Sequence, residues 1–258
     1  MKERIGAIAY NTFREAVRDR VLYNLVVFAI LIVGSSLIFG QISIGIERQV
    51  LINLGLTSIS LFGIVIAIFI GIGLVSKEIE KKTLYTVLVR PVRRWEFIVG
   101  KFTGLAGTLA VNAGFMAIGF FAALLYLVHR FQVADFYLLV ALYFILLQFM
   151  LITALALLFS TFSTPLMSAV FAFALFVIGS FAEDLRGFAA MTSGATKLIA
   201  GGLARLVPNF AAFNVVGQVA HSVPIPGRLV LYNTIYAALY ATVCLSAAVL
   251  IFERRNLK

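Results

Sequence analysis

Lys77-Glu-Ile-Glu-Lys-Lys-Thr-Leu-Tyr-Thr-Val-Leu-Val-Arg-Pro-Val-Arg-Arg-Trp-Glu-Phe-Ile-Val-Gly-Lys101 is a dense polar island between two long apolar runs. It holds seven of the 21 Lys and Arg residues. The runs on either side, about 50–75 and 97–127, exceed the ~20 helical residues that cross ~30 Å of hydrocarbon. The island therefore reads as a loop where a membrane-embedded chain meets water.

Working outward, the composition agrees. The chain of 258 residues is 62% hydrophobic and 12% charged, with a mean hydropathy of +1.05. Soluble domains carry about twice that share of charge. Six spans are expected, at about 22–39, 50–75, 97–127, 136–159, 165–182 and 229–252, making one all-α transmembrane domain over 1–258. The net charge of +10 first suggests nucleic acid, but the cations cluster at membrane borders, so no nucleic-acid partner is expected. Fifteen lie in the N-terminus, the 77–101 island and the C-terminus. The other six (Arg48, Arg130, Arg186, Lys197, Arg205, Arg228) fall in the remaining loops. Both termini are thus expected in the cytoplasm. No Asp, Glu or Arg lies well inside a span, and Lys101 sits where it can snorkel to an interface.

Residues 1–20 form a polar region too long for a signal peptide, and no cleavage pattern follows. Ile5, Ile8, Ala9, Phe13, Ala16 and Val17 share one helical face, with Arg4, Asn11, Arg14, Glu15 and Arg18 opposite. The pattern predicts an amphipathic helix in the membrane interface, near lipid phosphates, or else an ordinary charged flank of the first span. Ser160–Thr164 is short enough to make spans four and five a tight hairpin, with Pro165 in the first turn of the next helix. The extracytoplasmic segment 183–228 mixes apolar stretches with Gly and Pro. It is expected to form short helices that dip toward the membrane or cap the bundle, a disordered loop being the alternative.

Catalytic chemistry finds little support. Cys244 is the one cysteine, and His129 and His221 are isolated from any partner cluster. No catalytic, cofactor or metal site is expected in this chain. Glu78 and Glu80 beside Lys81 and Lys82 read as solvated ion pairs. Gly100-Lys101 imitates a nucleotide loop, yet Trp95 replaces its first Gly and Phe102 its Ser or Thr. Asn112, Gln148, Thr153 and Asn233 are the polar residues within spans. They read either as a translocation path or as interhelical hydrogen bonds. Proton- or sodium-driven carriers usually bury ionisable groups, so a source of energy is not visible.

Within the island, Lys77–Val89 is predicted to form a short helix with Leu84, Val87 and Leu88 on one face, stopped at Pro91. That stripe needs a groove, in its own chain or in a partner. Glu78/Glu80, Thr83-Leu84, Leu88, Arg90-Pro91-Val92-Arg93-Arg94 and Gly100-Lys101, in that order, resemble the coupling loop of ABC type-2 transporter permeases. Asn11–Tyr23 resembles the interfacial helix of that family, and Leu158–Thr161 and Phe252–Leu257 resemble its corresponding segments. Lys81-Lys82 departs from the usual basic-Gly pair. Pro208-Asn-Phe, Phe213-Asn and His221 resemble the branch linked to multicopper-enzyme maturation, although paired Met and further Cys are lacking.

The resemblance implies a multi-pass subunit of a bacterial-type inner (plasma) membrane. It would pair with a second permease, identical or not, and with cytosolic ABC ATPase subunits that hold ATP and Mg. The expected function is ATP-driven export, with Glu78, Glu80, Lys81, Thr83, Leu84, Leu88, Arg90, Pro91 and Arg94 against the ATPase. A stand-alone channel or secondary carrier, and a non-transporting assembly factor, are the alternatives.

Overall fold

The structure, a computed structural model, describes residues 2–19, 23, 26, 27, 30–35, 38, 45–80, 93–128, 135–191, 193, 201, 202 and 207–254. Among these residues the regular structure is all helix, with no strand. The elements are α1 (Lys2–Val17), α2 (Glu47–Glu80), α3 (Arg94–Val128) and α4 (Phe136–Ser160), followed by α5 (Pro165–Ser180) and α6 (Ala182–Met191). A 3₁₀ turn (Ala211–Phe213), α7 (Val216–Ala220) and α8 (Gly227–Arg254) complete them.

Among the described residues, four helices are long and apolar enough to cross a membrane: Glu47–Gly73, Arg94–Leu127, Phe136–Ser160 and Gly227–Glu253. The pair α5–α6, bent by 55°, makes a fifth if it counts as one span. Expected span 22–39 lies largely outside the described residues. Span five departs from the single run 165–182, because the chain turns at Phe181. There the Phe210 N–H donates to the Gly179 carbonyl at 3.0 Å. A Cβ on Gly179 would collide with the Pro208 carbonyl and lie 2.7 Å from Phe210 Cδ2. The returning chain thus occupies the place of another helical turn.

Helix α2 runs past the expected end at 75, and its 34 residues reach about 50 Å, well beyond ~30 Å of hydrocarbon. The helix expected from Lys77 begins as its continuation; 81–92, with Lys81, Thr83, Leu84, Leu88, Arg90 and Pro91, lies outside the described residues. The hairpin between α4 and α5 is present, with Pro165 in the first helical turn after an extended Thr164.

Contacts along the helices set their directions. Arg48 pairs with Asp135 and Ser60 with Gln148, sequence separations of 87 and 88. So near-constant an offset makes α2 and α4 parallel neighbours. Tyr143 meets Thr234, their hydroxyl oxygens 2.9 Å apart, so α8 runs the same way. Gly55 of α2 faces the Phe120 ring, and Phe97 stacks on Phe252 with ring centroids 5.9 Å apart, so α3 runs oppositely. Consecutive crossings require this alternation. Helix α1, both roots of the island and the last turn of α8 therefore gather at one end, the loop end. The 207–220 segment folds over the other, where Phe210, Phe213, Val215 and Val219 are buried. Within 183–228 the described residues hold the rest of α6, which continues from Ala182, and α7.

Candidate functional site

At the loop end, the start of α3 is tied to the end of α8. The Arg94 guanidinium donates to the carbonyls of Phe252 at 2.5 Å and Glu253 at 2.9 Å, and lies 5.6 Å from the centre of the Phe252 ring. The last carbonyls of a helix lack intrahelical donors and carry the negative end of its dipole, so a cation there is favourable. Glu96 supplies half of a capping box: its Oε2 accepts the Arg93 N–H at 3.0 Å. Beneath them Phe97, Ile98, Ala248 and Phe252 form a compact apolar cluster. Arg94 is therefore bound within the chain, although the resemblance placed it against a partner. Arg94→Met is expected to lower stability by about 1–2 kcal/mol, read as a fall in the unfolding temperature of the reconstituted protein.

The second junction joins α1 to α3. A Cβ on Gly100 would lie 2.7 Å from Ile8 Cβ, and one on Gly104 would lie 2.5 Å from the Ala9 carbonyl oxygen. Gly100-x-x-x-Gly104 is thus the groove into which α1 is laid, as small residues allow when packing rather than water drives helix association. Thr12 and Ala16 are fully buried there. The apolar face of α1 packs on α3. Lys101 is covered as a consequence, at 2% exposure, where snorkelling to water was expected. Its Nζ lies 5.7 Å from the Phe97 ring centre and 3.9 Å from Glu15 Oε2.

The interior polar residues divide by role. Ser60 Oγ on α2 donates to Gln148 Oε1 on α4 at 3.0 Å. Asn233 Nδ2 on α8 donates to the Ala212 carbonyl of the 3₁₀ turn at 2.7 Å. The first ties α2 to α4, and the second ties α8 to the cap. Thr153 instead donates to the Phe149 carbonyl of its own helix at 2.7 Å. Asn112 is buried, with Nδ2 unpaired among the described residues. Ser60 and Gln148 border a half-open chamber of about 170 Å³, walled on one side by Phe210, Phe213 and Asn214 of the cap. At the outer rim, Arg48 joins Asp135 and donates to Ser222 Oγ at 3.0 Å, locking α2, α4 and the cap together.

The structure does not bring all the expected site residues together. Glu78 and Glu80 lie in the last turns of α2, their side chains not described. Sequence reasoning missed Glu96, whose signal was its place three residues after the N-cap. It also missed Ser60 and Asp135, for which no local signal exists. Pro208-Asn-Phe and Phe213-Asn, read as marks of a family branch, make the cap: the Asn209 N–H donates to the Tyr236 hydroxyl at 2.9 Å, and Asn214 Oδ1 accepts the Val216 N–H at 3.3 Å.

Among the described residues, four helices of membrane-spanning length and apolarity mark a multi-pass membrane protein. The chain belongs to the ABC-2 family of transporter proteins, whose profile matches residues 6–257. A comparison with curated proteins gave no match.

Proposed function

We propose that this chain is the permease subunit of an ATP-driven exporter, working as two membrane subunits with two cytosolic ATPases. The family match over residues 6–257 carries the reading. The loop end is supporting geometry: α2 projects toward the island and α3 leaves it anchored by Arg94 to α8. Force applied to residues 77–96 would reach α2, α3, α8 and, through Gly100 and Gly104, α1. In this reading the loop end faces the cytoplasm, with both termini. The island's Glu78, Glu80, Lys81, Thr83, Leu84, Leu88, Arg90 and Pro91 meet the ATPase, while Arg94 positions the loop.

ATP acts by favouring one arrangement of the spans. Moving a balance from about 1:99 to 99:1 takes about 5.5 kcal/mol. The test is the intact complex isolated from its membrane and reconstituted. An ATPase subunit should co-purify, and Leu84→Asp should abolish stimulated hydrolysis and transport while membrane insertion and the mass of the permease dimer stay unchanged. Normal coupling in that variant would overturn the role of the loop. ATP-independent flux by the chain alone would overturn the subunit reading.

A further inference from the structure

We propose that the chamber beneath the cap is a binding site for a small neutral amphiphile: one ring-sized apolar body bearing a single hydrogen-bond acceptor. The chamber lies among α2, α4, α5 and the cap, within one chain, so the site requires no second subunit.

Three observations specify the ligand. The volume of about 170 Å³ is close to that of cavities of about 150 Å³ that admit one benzene ring. Phe176, Phe210 and Phe213 form an aromatic wall, with Phe176 and Phe210 set edge-on at 5.4 Å between centroids. Such a wall favours a flat apolar body. Among the described lining residues none carries a charge, and an ion taken from water into such a place is left unpaired.

Gln148 sets the polar end. It is 7% exposed, and its Oε1 is held by Ser60 Oγ. That bond engages Oε1 and not Nε2, which is the donor this lining residue offers a ligand. A ligand carbonyl or ether oxygen would satisfy it. Water alone satisfies the amide but leaves the aromatic wall wet, which is the competing occupancy.

The protein in lipid nanodiscs is titrated with 4-fluoroacetophenone and, separately, with 1-ethyl-4-fluorobenzene, which keeps the ring and lacks the acceptor. Binding is read by ¹⁹F NMR against empty nanodiscs, with unlabelled acetophenone as competitor. The ketone should bind saturably and be displaced, and the hydrocarbon should bind about tenfold more weakly, the worth of one hydrogen bond to a buried donor. Gln148→Leu should erase that preference, and Asn214→Trp, at the exposed rim, should weaken both ligands by plugging the chamber. Partition no greater than into empty nanodiscs, equal binding of the two compounds by the unaltered protein, or a preference that survives Gln148→Leu would each overturn the site. If Gln148→Leu does not fold, the unaltered protein and Asn214→Trp decide the matter.

Discussion

Gly63→Leu is expected to separate α2 from α4 and to destabilise the bundle by about 3 kcal/mol or more. A Cβ built on Gly63 would collide with the tip of the Phe149 ring, at Cζ, Cε1 and Cε2. Phe149 is buried in the middle of α4, so its ring has nowhere to swing without disturbing a second layer. Interiors are packed as densely as organic crystals, and an added branched side chain forces backbones apart. The same movement would strain the Ser60–Gln148 bond one turn away. Unfolding in mixed micelles measures the loss. Gly114→Ala is the control, because nothing lies within 4 Å of a Cβ there, and it should leave stability unchanged or slightly raised. Wild-type stability in Gly63→Leu would contradict the packing of α2 on α4.

Gly104→Leu is expected to release α1 from α3. Its Cβ would press on the Ala9 carbonyl oxygen and lie 2.7 Å from Thr12 Cβ. The first of these is backbone, which cannot rotate aside, so the whole helix must lift. Lifting uncovers Thr12, Ala16 and the Lys101 ammonium group together. A docking loss of about 2 kcal/mol corresponds to roughly thirtyfold faster hydrogen exchange in amides that open with α1. Exchange across 5–17 should rise by that factor while exchange in α4 stays fixed. Unchanged protection of α1 would show that Gly104 is not its seat.

Much of the architecture was legible because it depends on local pattern. Run length marked the four described spans, charge asymmetry placed the termini together, and Pro165 marked a helix start. The boundaries moved where tertiary contacts intervened. The chain bends at Phe181 because Pro208 and Phe210 sit against Gly179, residues nearly thirty positions away that no window around 181 contains. The site was legible unevenly. Gln148 and Asn233 stood out as polar residues in apolar runs, whereas Ser60 looked ordinary until α4 was set beside it. Lys101 looked like a snorkelling cation because what covers it is α1, an element far away along the chain.

The amino-acid sequence by itself determined the membrane class, the run lengths, the shared end of the termini and the family, since these follow from composition, periodicity and motif order along one dimension. Only the tertiary structure decided which face of each helix is interior. In a soluble helix the polar stripe marks the outside, but here lipid-facing and core-facing side chains are equally apolar. Phe149 is buried while Phe115 is exposed, and nothing in their residue type separates them. Partners then had to be found across 86 and 95 residues by fit of volume, Gly63 to Phe149 and Gly104 to Ala9, which is a property of packed surfaces and not of sequence windows.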